Sequence, residues 1–225
     1  MVMRLGVLFA TLIHVADPES HSAALNMALD EVLLESTDAP LVRIYRWARP
    51  AVSFGYFGKH AAVAEAYPDR EVVRRWTGGG VVPHGEDLTY TLVVPREHSF
   101  FATPASDSYR LIHECIAGLF TDLLEVRLTA DAAREPSTVC FANPSQFDVL
   151  SGDVKIAGAA QRRTKLGLLH QGSIQGVALP ADAAERLPLL FSSAPEVRQL
   201  TAEELSLAEE IARSKYATEA WTRRW

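Results

Sequence analysis

The sequence predicts an α+β fold in which helices flank a central mixed or antiparallel sheet. Two patterns carry that reading. Alternating or β-branched runs fall at 41–47, 51–54, 71–73, 88–94, 126–129, 147–150, 154–161 and 166–175. Apolar residues recur at helical spacing over 22–33, 59–66, 106–124, 181–190 and 202–214. Their order is helix, strand pair, small helix, strands, long helix, then strands and terminal helices, which suits a sheet carrying helices. With 225 residues and no linker-like composition shift, 1–225 reads as a single catalytic domain.

The opening stretch, MVMRLGVLFATLIHVADPES, has one positive charge and an apolar run over 5–15. That run is too short to span a bilayer, and no small-x-small cleavage site follows it cleanly, so it predicts a buried first strand, with a targeting segment as the alternative. Ser22 is placed to cap the first helix, whose apolar stripe includes Leu25, Leu29, Val32 and Leu33. Asn26, Asp30 and Glu31 ride on that helix and are read as its solvated face. The strand at 41–47 is followed by Pro50 and a second strand ending at Gly55. Pro68 stops the short helix at 59–66. In the long helix at 106–124, Tyr109, Ile112, Cys115, Ile116, Leu119, Phe120 and Leu123 make the buried stripe, which assigns Cys115 to the core. Ser151-Gly152-Asp153 reads as the turn of a hairpin.

Composition removes several function classes. Apolar content of 48% and charged content of 22% describe an ordinary globular enzyme. A net charge of −6 argues against a general nucleic-acid binder. No stretch is apolar enough to predict membrane insertion. Cys115 and Cys140 are the only cysteines, which excludes a disulfide framework and a cysteine-rich zinc site and fits a reducing, cytoplasmic setting. There is no CxxC, no HExxH and no Walker-type loop.

The candidate chemistry centres on residues 71–94, EVVRRWTGGGVVPHGEDLTYTLVV. Strand-like flanks enclose Arg74, Arg75, the triplet Gly78, Gly79 and Gly80, and His84. Glycine backbones approach a ligand closely, and beside arginines they suit an anion or a carbonyl group; a solvated hairpin is the plain alternative. Cys140 lies in an irregular stretch and is read either as a nucleophile or as a half-buried structural cysteine. Lys155 sits between Val154 and Ile156, which alternation sends to the core while the lysine faces the open side, toward solvent or a cleft. His84 is a candidate acid, base or donor, and His170 reads as a structural strand histidine or a second candidate.

Four stretches in order carry a resemblance: NMALDEVLL at 26–34, RIYRWARPAVSFGYF at 43–57, RRWTGGGVVPHGEDLTYTL at 74–92 and DVKIAGAAQRRTKLGLLHQGSI at 153–174. Together they resemble the lipoate-protein ligase and octanoyltransferase superfamily. The resemblance implies the α+β catalytic domain shared with biotin-protein ligases, with a site whose arginine–glycine loop lines the acyl pocket. Carried onto this sequence, that loop is Arg74, Gly78, Gly79, Gly80 and His84. The family's lysine, followed by I-x-G, is Lys155 with Gly158 beside it. Its H-x-G-[ST] pattern falls on His170, Gly172 and Ser173.

The stretch Cys140-Phe141-Ala142-Asn143-Pro144-Ser145 is similar to the C-F-x-x-P-S of cysteine-dependent octanoyltransferases, which implies Cys140 as nucleophile. That reading implies an acyl carrier protein as donor, a lysine of a lipoyl domain or glycine-cleavage H protein as acceptor, and no cofactor. The TGGG form of the loop is shared with ligases, whereas many bacterial ligases carry an accessory domain after this one. The alternatives are an ATP- and Mg2+-dependent lipoate or biotin ligase working through an acyl-adenylate, and a non-catalytic module that holds a lipoylated protein. Trp76, Val81, Tyr90 and Phe147 are the expected lining of the acyl slot, and Arg75, Arg162, Arg163 and Lys165 the expected docking patch for an acidic carrier.

Overall fold

The computed structural model describes residues 7–121, 123–130 and 144–224. Cys140 lies outside them. The elements, in chain order, are β1 (Ile13–His21), α1 (Ala23–Ser36), β2 (Leu41–Trp47), β3 (Ala51–Phe54), α2 (His60–Ala66), β4 (Glu71–Arg74), β5 (Val81–His84), β6 (Leu88–Pro95), α3 (Ala105–Ala117), β7 (Arg127–Leu128), β8 (Val149–Ser151), β9 (Val154–Arg163), β10 (Gly167–Ile174), α4 (Ala183–Phe191), β11 (Glu196–Gln199), α5 (Ala202–Ile211) and α6 (Glu219–Thr222).

Eight strands form one sheet in the order β11-β1-β2-β6-β10-β9-β8-β7. The β11–β1 and β1–β2 pairs are parallel, and the remaining pairs are antiparallel. The sheet is therefore mixed, as the sequence predicts. Alternation sends Val42, Leu92, Val94 and Leu168 to one face, where they pack with Ile112, Ile116, Leu187 and Phe191 of α3 and α4. The neighbouring residues Leu41, Val93 and Leu169 face the other way, against Leu33 and Leu34 of α1. Beyond that helix, β4, β3 and β5 form a separate three-stranded sheet.

Several expectations change. The first strand begins at Ile13, although Phe9 and Leu12 ahead of it are buried. The strands flanking the glycine loop are not a hairpin: β4 belongs to the small sheet and β6 to the large one. Val81–His84, read as loop, pairs antiparallel with β3. The edge strand β11 and the short α6 carry too little apolar signal to be read from sequence.

The largest correction concerns α1. Ser22 caps it as expected, accepting from the Leu25 amide, but Asn26, Asp30 and Glu31 are buried. The helix touches both sheets and α5, leaving almost no solvated face. These three side chains are all partnered, as burial demands. The fully buried Arg43 guanidinium binds Asp17 at 2.8 Å, Asp30 at 2.9 Å and the Asn26 carboxamide at 2.6 Å. Glu31 accepts from Lys215 and Tyr216. Among the described residues, no helix is long and apolar enough to cross a membrane.

Candidate active site

The two sheets and α1 line a pocket of about 430 Å³, counting the space that opens to solvent. Its apolar wall is Met27 of α1, Trp47 of β2, Val82 of β5 and the small residues Gly158, Ala159 and Ala160 of β9. The polar groups are Lys155, Arg75, Ser53, His84, Gln171 and Ser173. A groove of about 790 Å³ shares Ala159 and Ala160 with it and is lined further by Gly78, Gly79, Tyr109, Ser145 and Phe147. The small β9 side chains are what the two spaces have in common.

Lys155 lines the pocket while Ile156 packs in the core, so the lysine faces a cleft, one of the two destinations that alternation allows. The register between β8 and β9 shifts at Val149 and Leu150, and such an irregularity re-aims side chains. Val154, which strict alternation sends inward, is left 59% exposed, while Lys155 is 6% exposed. The ammonium lies 2.8 Å from the fully buried Asp148 carboxylate. Asp148 also accepts from the Tyr109 hydroxyl at 2.6 Å and the Ser145 amide at 2.6 Å. Gly158 makes room for this pair: a Cβ there would sit 2.2 Å from Lys155 Cε and 2.4 Å from its Nζ.

The glycine loop is held from beneath. Arg75 donates to Ser53 Oγ at 2.7 Å and to the Gly78 and Gly80 carbonyls at 3.0 and 2.9 Å. Gly79 has φ of 85°, a left-handed conformation that favours glycine. A Cβ on Gly55 would fall 2.0 Å from the Gly79 carbonyl oxygen, so the loop can lie this close only over a glycine. Thr77 donates to Gln171 at 2.7 Å, and Gln171 donates to Asp30 at 2.7 Å, tying the loop to the buried α1 network.

His84 stacks on Trp47, with centroids 4.1 Å apart and planes 17° from parallel. Its Nε2 meets Ser53 Oγ at 2.6 Å and its Nδ1 meets Asp87 at 2.7 Å. Burial holds His84 below the usual histidine value against the pull of Asp87. Burial alone would raise Asp87, but hydrogen bonds from His84, Ser173 and Thr89 outweigh it and hold the carboxyl at about 2.

The predicted site residues thus separate. Lys155, His84, Gly158, Gly172 and Ser173 line the pocket, and Gly78 and Gly79 line the groove. Gly80 supplies a carbonyl to Arg75. Arg74 lines neither space: its guanidinium donates to the carbonyls of Tyr56, Gly58, Trp221 and Thr222 and clamps the C-terminal turn. His170 lies on the α3 face, in contact with Tyr90 at 3.1 Å and Gln161 at 3.0 Å. Gly172 lets Tyr90 pack there, since a Cβ would sit 2.2 Å from its ring.

Of the expected acyl-slot lining, Trp76, Val81 and Tyr90 are absent from the pocket, and Phe147 lines the groove. The expected docking patch is not a solvated cluster. Arg75 is buried, Arg162 donates to the Trp76 carbonyl and Arg163 to the Thr103 carbonyl, which leaves only Lys165 of the four exposed. Sequence reasoning missed Asp148, Tyr109, Trp47, Ser53 and Asp87. Ser53 gave one signal, a lone hydroxyl within the fully buried strand AVSF.

The chain re-enters the described region beside Lys155. Phe147 has φ of 68°, uncommon for a residue with a side chain. Its amide donates to the Thr129 carbonyl and its carbonyl is met by His113 Nδ1 at 2.7 Å. His113 is fully buried, and burial pushes its pKa down to about 4. As pH falls, the unfolded chain takes up this proton first, so the stability is complete above 6.5 and is lost between 6.5 and about 4. That shift corresponds to roughly 3 kcal/mol. In urea unfolding, wild type is expected to lose about 3 kcal/mol more than His113→Leu between pH 7 and pH 4; equal losses would contradict this account of His113.

Comparison with known proteins converges on one family. Residues 22–176 match the model of the lipoyl protein ligase A/B catalytic domain. The octanoyltransferase LipM of Brevibacillus brevis is 30% identical over 92% of this chain and 96% of its own length. That of Bacillus subtilis is 35% identical over 70% of this chain, and the match spans 63% of the relative, under two thirds of its length. In fold, the chain is similar to a Thermoplasma acidophilum lipoate protein ligase structure with bound lipoic acid (TM-score 0.76, 22% identity, 95% of this chain and 98% of that one). It is also similar to a lipoate-protein ligase A bound with ATP (TM-score 0.73, 21% identity, 94% and 98%). The match extends across both sheets, the glycine loop and Lys155, and the chain belongs to the lipoyl protein ligase A/B catalytic-domain family.

Proposed function

We propose that this chain is an acyltransferase that moves an octanoyl group from a thioester donor to a lysine of a lipoyl-carrier protein, through an acyl-enzyme on Cys140. The carrying observation is its 30% identity to an octanoyltransferase over 96% of that relative's length. The pocket supports the reading. Met27, Trp47 and Val82 offer an apolar seat for a fatty chain, while Lys155 and the loop of Gly78 and Gly79 offer polar groups for its carbonyl end.

In this scheme the Cys140 thiolate attacks the thioester carbonyl and the donor thiol leaves. Lys155 and the glycine-loop amides stabilise the oxyanion of the tetrahedral adduct, where preorganised donors have their largest effect. Cys140 precedes Ser145 by five residues, and the Ser145 amide binds the same Asp148 that holds Lys155. The acceptor lysine then attacks the acyl-enzyme, and the amide leaves on the carrier. An acyl carrier protein is the proposed donor, and a lipoyl domain or glycine-cleavage H protein the proposed acceptor. Because the acyl group arrives already activated, the reaction uses neither ATP nor Mg2+.

The test supplies a lipoyl domain with either octanoyl-acyl carrier protein alone or octanoate plus ATP and Mg2+, and measures amide formation. The thioester mixture is expected to give product. Product from the ATP mixture only would assign the chain to ligase chemistry, and product from neither would favour a binding module.

A further inference from the structure

The pocket wall contributed by the small sheet carries a linear array that the scheme above does not use. Ser53 Oγ lies 2.6 Å from His84 Nε2, and His84 Nδ1 lies 2.7 Å from Asp87 Oδ2. All three side chains come from adjacent backbone: Ser53 from β3, His84 from the paired strand β5, and Asp87 from the turn that follows. Ser53 and His84 line the same pocket as Lys155. We propose that Ser53, His84 and Asp87 form a proton relay that takes up the proton released when the acceptor amine attacks the acyl group. The proposal rests on the acyl-transfer reading and adds to it the group that handles the amine.

The chemistry needs such a group. When the amine nitrogen bonds to the thioester carbonyl it becomes cationic, and it must lose a proton before the C–S bond breaks toward amide. Ser53 Oγ accepts that proton as its own hydroxyl proton passes to His84 Nε2. The imidazolium is stabilised by Asp87, and the proton returns through Ser53 to the departing thiolate. No proton or electron is gained or lost over the cycle.

The geometry suits a relay better than a simple structural tie. A hydroxyl has one donor and two acceptor positions. The Asp87 carboxylate only accepts, so it fixes the His84 proton on Nδ1 and leaves Nε2 to accept from Ser53; with Arg75 donating to Ser53 at 2.7 Å, one acceptor position remains for an incoming N–H. The Arg75 guanidinium beside the oxygen favours loss of its proton. Trp47 stacking fixes the imidazole plane. Asp87 is itself held by Thr89 and Ser173, each at 2.7 Å, and by the Gly85 amide at 3.1 Å. This is the base-plus-orienter arrangement that proton-transfer catalysis uses.

The experiment compares two acceptors with octanoyl thioester as donor: the lipoyl-domain lysine, and hydroxylamine, a weaker base whose adduct gives its proton readily to water. In Ser53→Ala the ratio of lysine rate to hydroxylamine rate is expected to fall by about 100-fold, the lower range for a positioned acid–base group. A fall by the same factor for both acceptors, or no change in either, would overturn the relay. Thermal melting checks the fold. If Ser53→Ala does not fold, His84→Gln decides by the same ratio, since its carboxamide can bridge both neighbours but takes up no proton at neutral pH. A Cys140→Ala arm separates the two ideas: amide formation unchanged in that variant rejects the acyl-enzyme, while the acceptor ratio still decides the relay.

Discussion

Lys155→Ala is expected to lower octanoyl transfer by about 10²- to 10⁴-fold, the range spanned by loss of a positioned acid–base group or an oxyanion donor, and to destabilise the protein as well. Both effects follow from one contact. The ammonium is nearly buried and sits 2.8 Å from Asp148, a carboxylate with no solvent exposure. Removing the cation leaves that charge with the neutral donors Tyr109 and Ser145. Stranding one partner of a buried pair costs about 3–5 kcal/mol. The two consequences separate in a double variant: Lys155→Met with Asp148→Asn is expected to recover most of the stability in urea unfolding and none of the turnover. Recovery of activity along with stability would show that Lys155 only props the fold. Lys155→Arg keeps the charge but is not expected to rescue, because the ammonium fits over Gly158, where even a Cβ would collide with it. A guanidinium needs more space.

Cys140→Ala is expected to reduce transfer by at least about 10³-fold, in keeping with nucleophile deletions elsewhere. The other cysteine supplies the control. Cys115 is buried in the α3 stripe, and burial pushes its thiol up to about 12. A thiol so held is not ionised at neutral pH and is a poor nucleophile. Cys115→Ala should therefore keep its turnover. Iodoacetamide should label Cys140 first and abolish activity in step with that label. Inactivation that tracks Cys115 modification, or an active Cys140→Ala enzyme, would remove the covalent scheme.

Much of the fold was legible because periodicity reports burial on one face. The strands at 41–47 and 88–94, the Ser22 cap and the α3 stripe from Ile112 to Ile116 are of this kind, whereas Leu123 falls past the helix and is 53% exposed. What defeated the pattern was burial on more than one face. α1 reads as amphipathic, with Asn26, Asp30 and Glu31 outside, yet it is enclosed, and those groups are satisfied by Arg43, Lys215 and Tyr216 from distant segments. Local sequence carries no trace of such partners.

The site divides in the same way. Lys155 and Gly158 stood out as a motif, and the structure supplies a steric reason for their spacing. Strict alternation aimed Lys155 correctly away from Ile156 but put Val154 inside, because a register shift is invisible to a period of two. Of the arginine pair, Arg74 rather than Arg75 matched the motif, yet Arg75 holds the loop while Arg74 clamps Tyr56 and Trp221. Adjacent strand residues face opposite ways, and nothing local to 74–75 says which face meets the pocket. Asp148 carries no local mark, and only tertiary contact brings it to Lys155.

The central claim is that the acyl group rests covalently on Cys140 before it reaches the acceptor. Intact-mass analysis after brief incubation with octanoyl-acyl carrier protein, without ATP and without acceptor, tests it directly. The account predicts a gain of one octanoyl group, mapped to Cys140 and lost when a lipoyl domain is added. An unmodified protein that nevertheless makes octanoylated carrier, or one that acts only with octanoate and ATP, would contradict it.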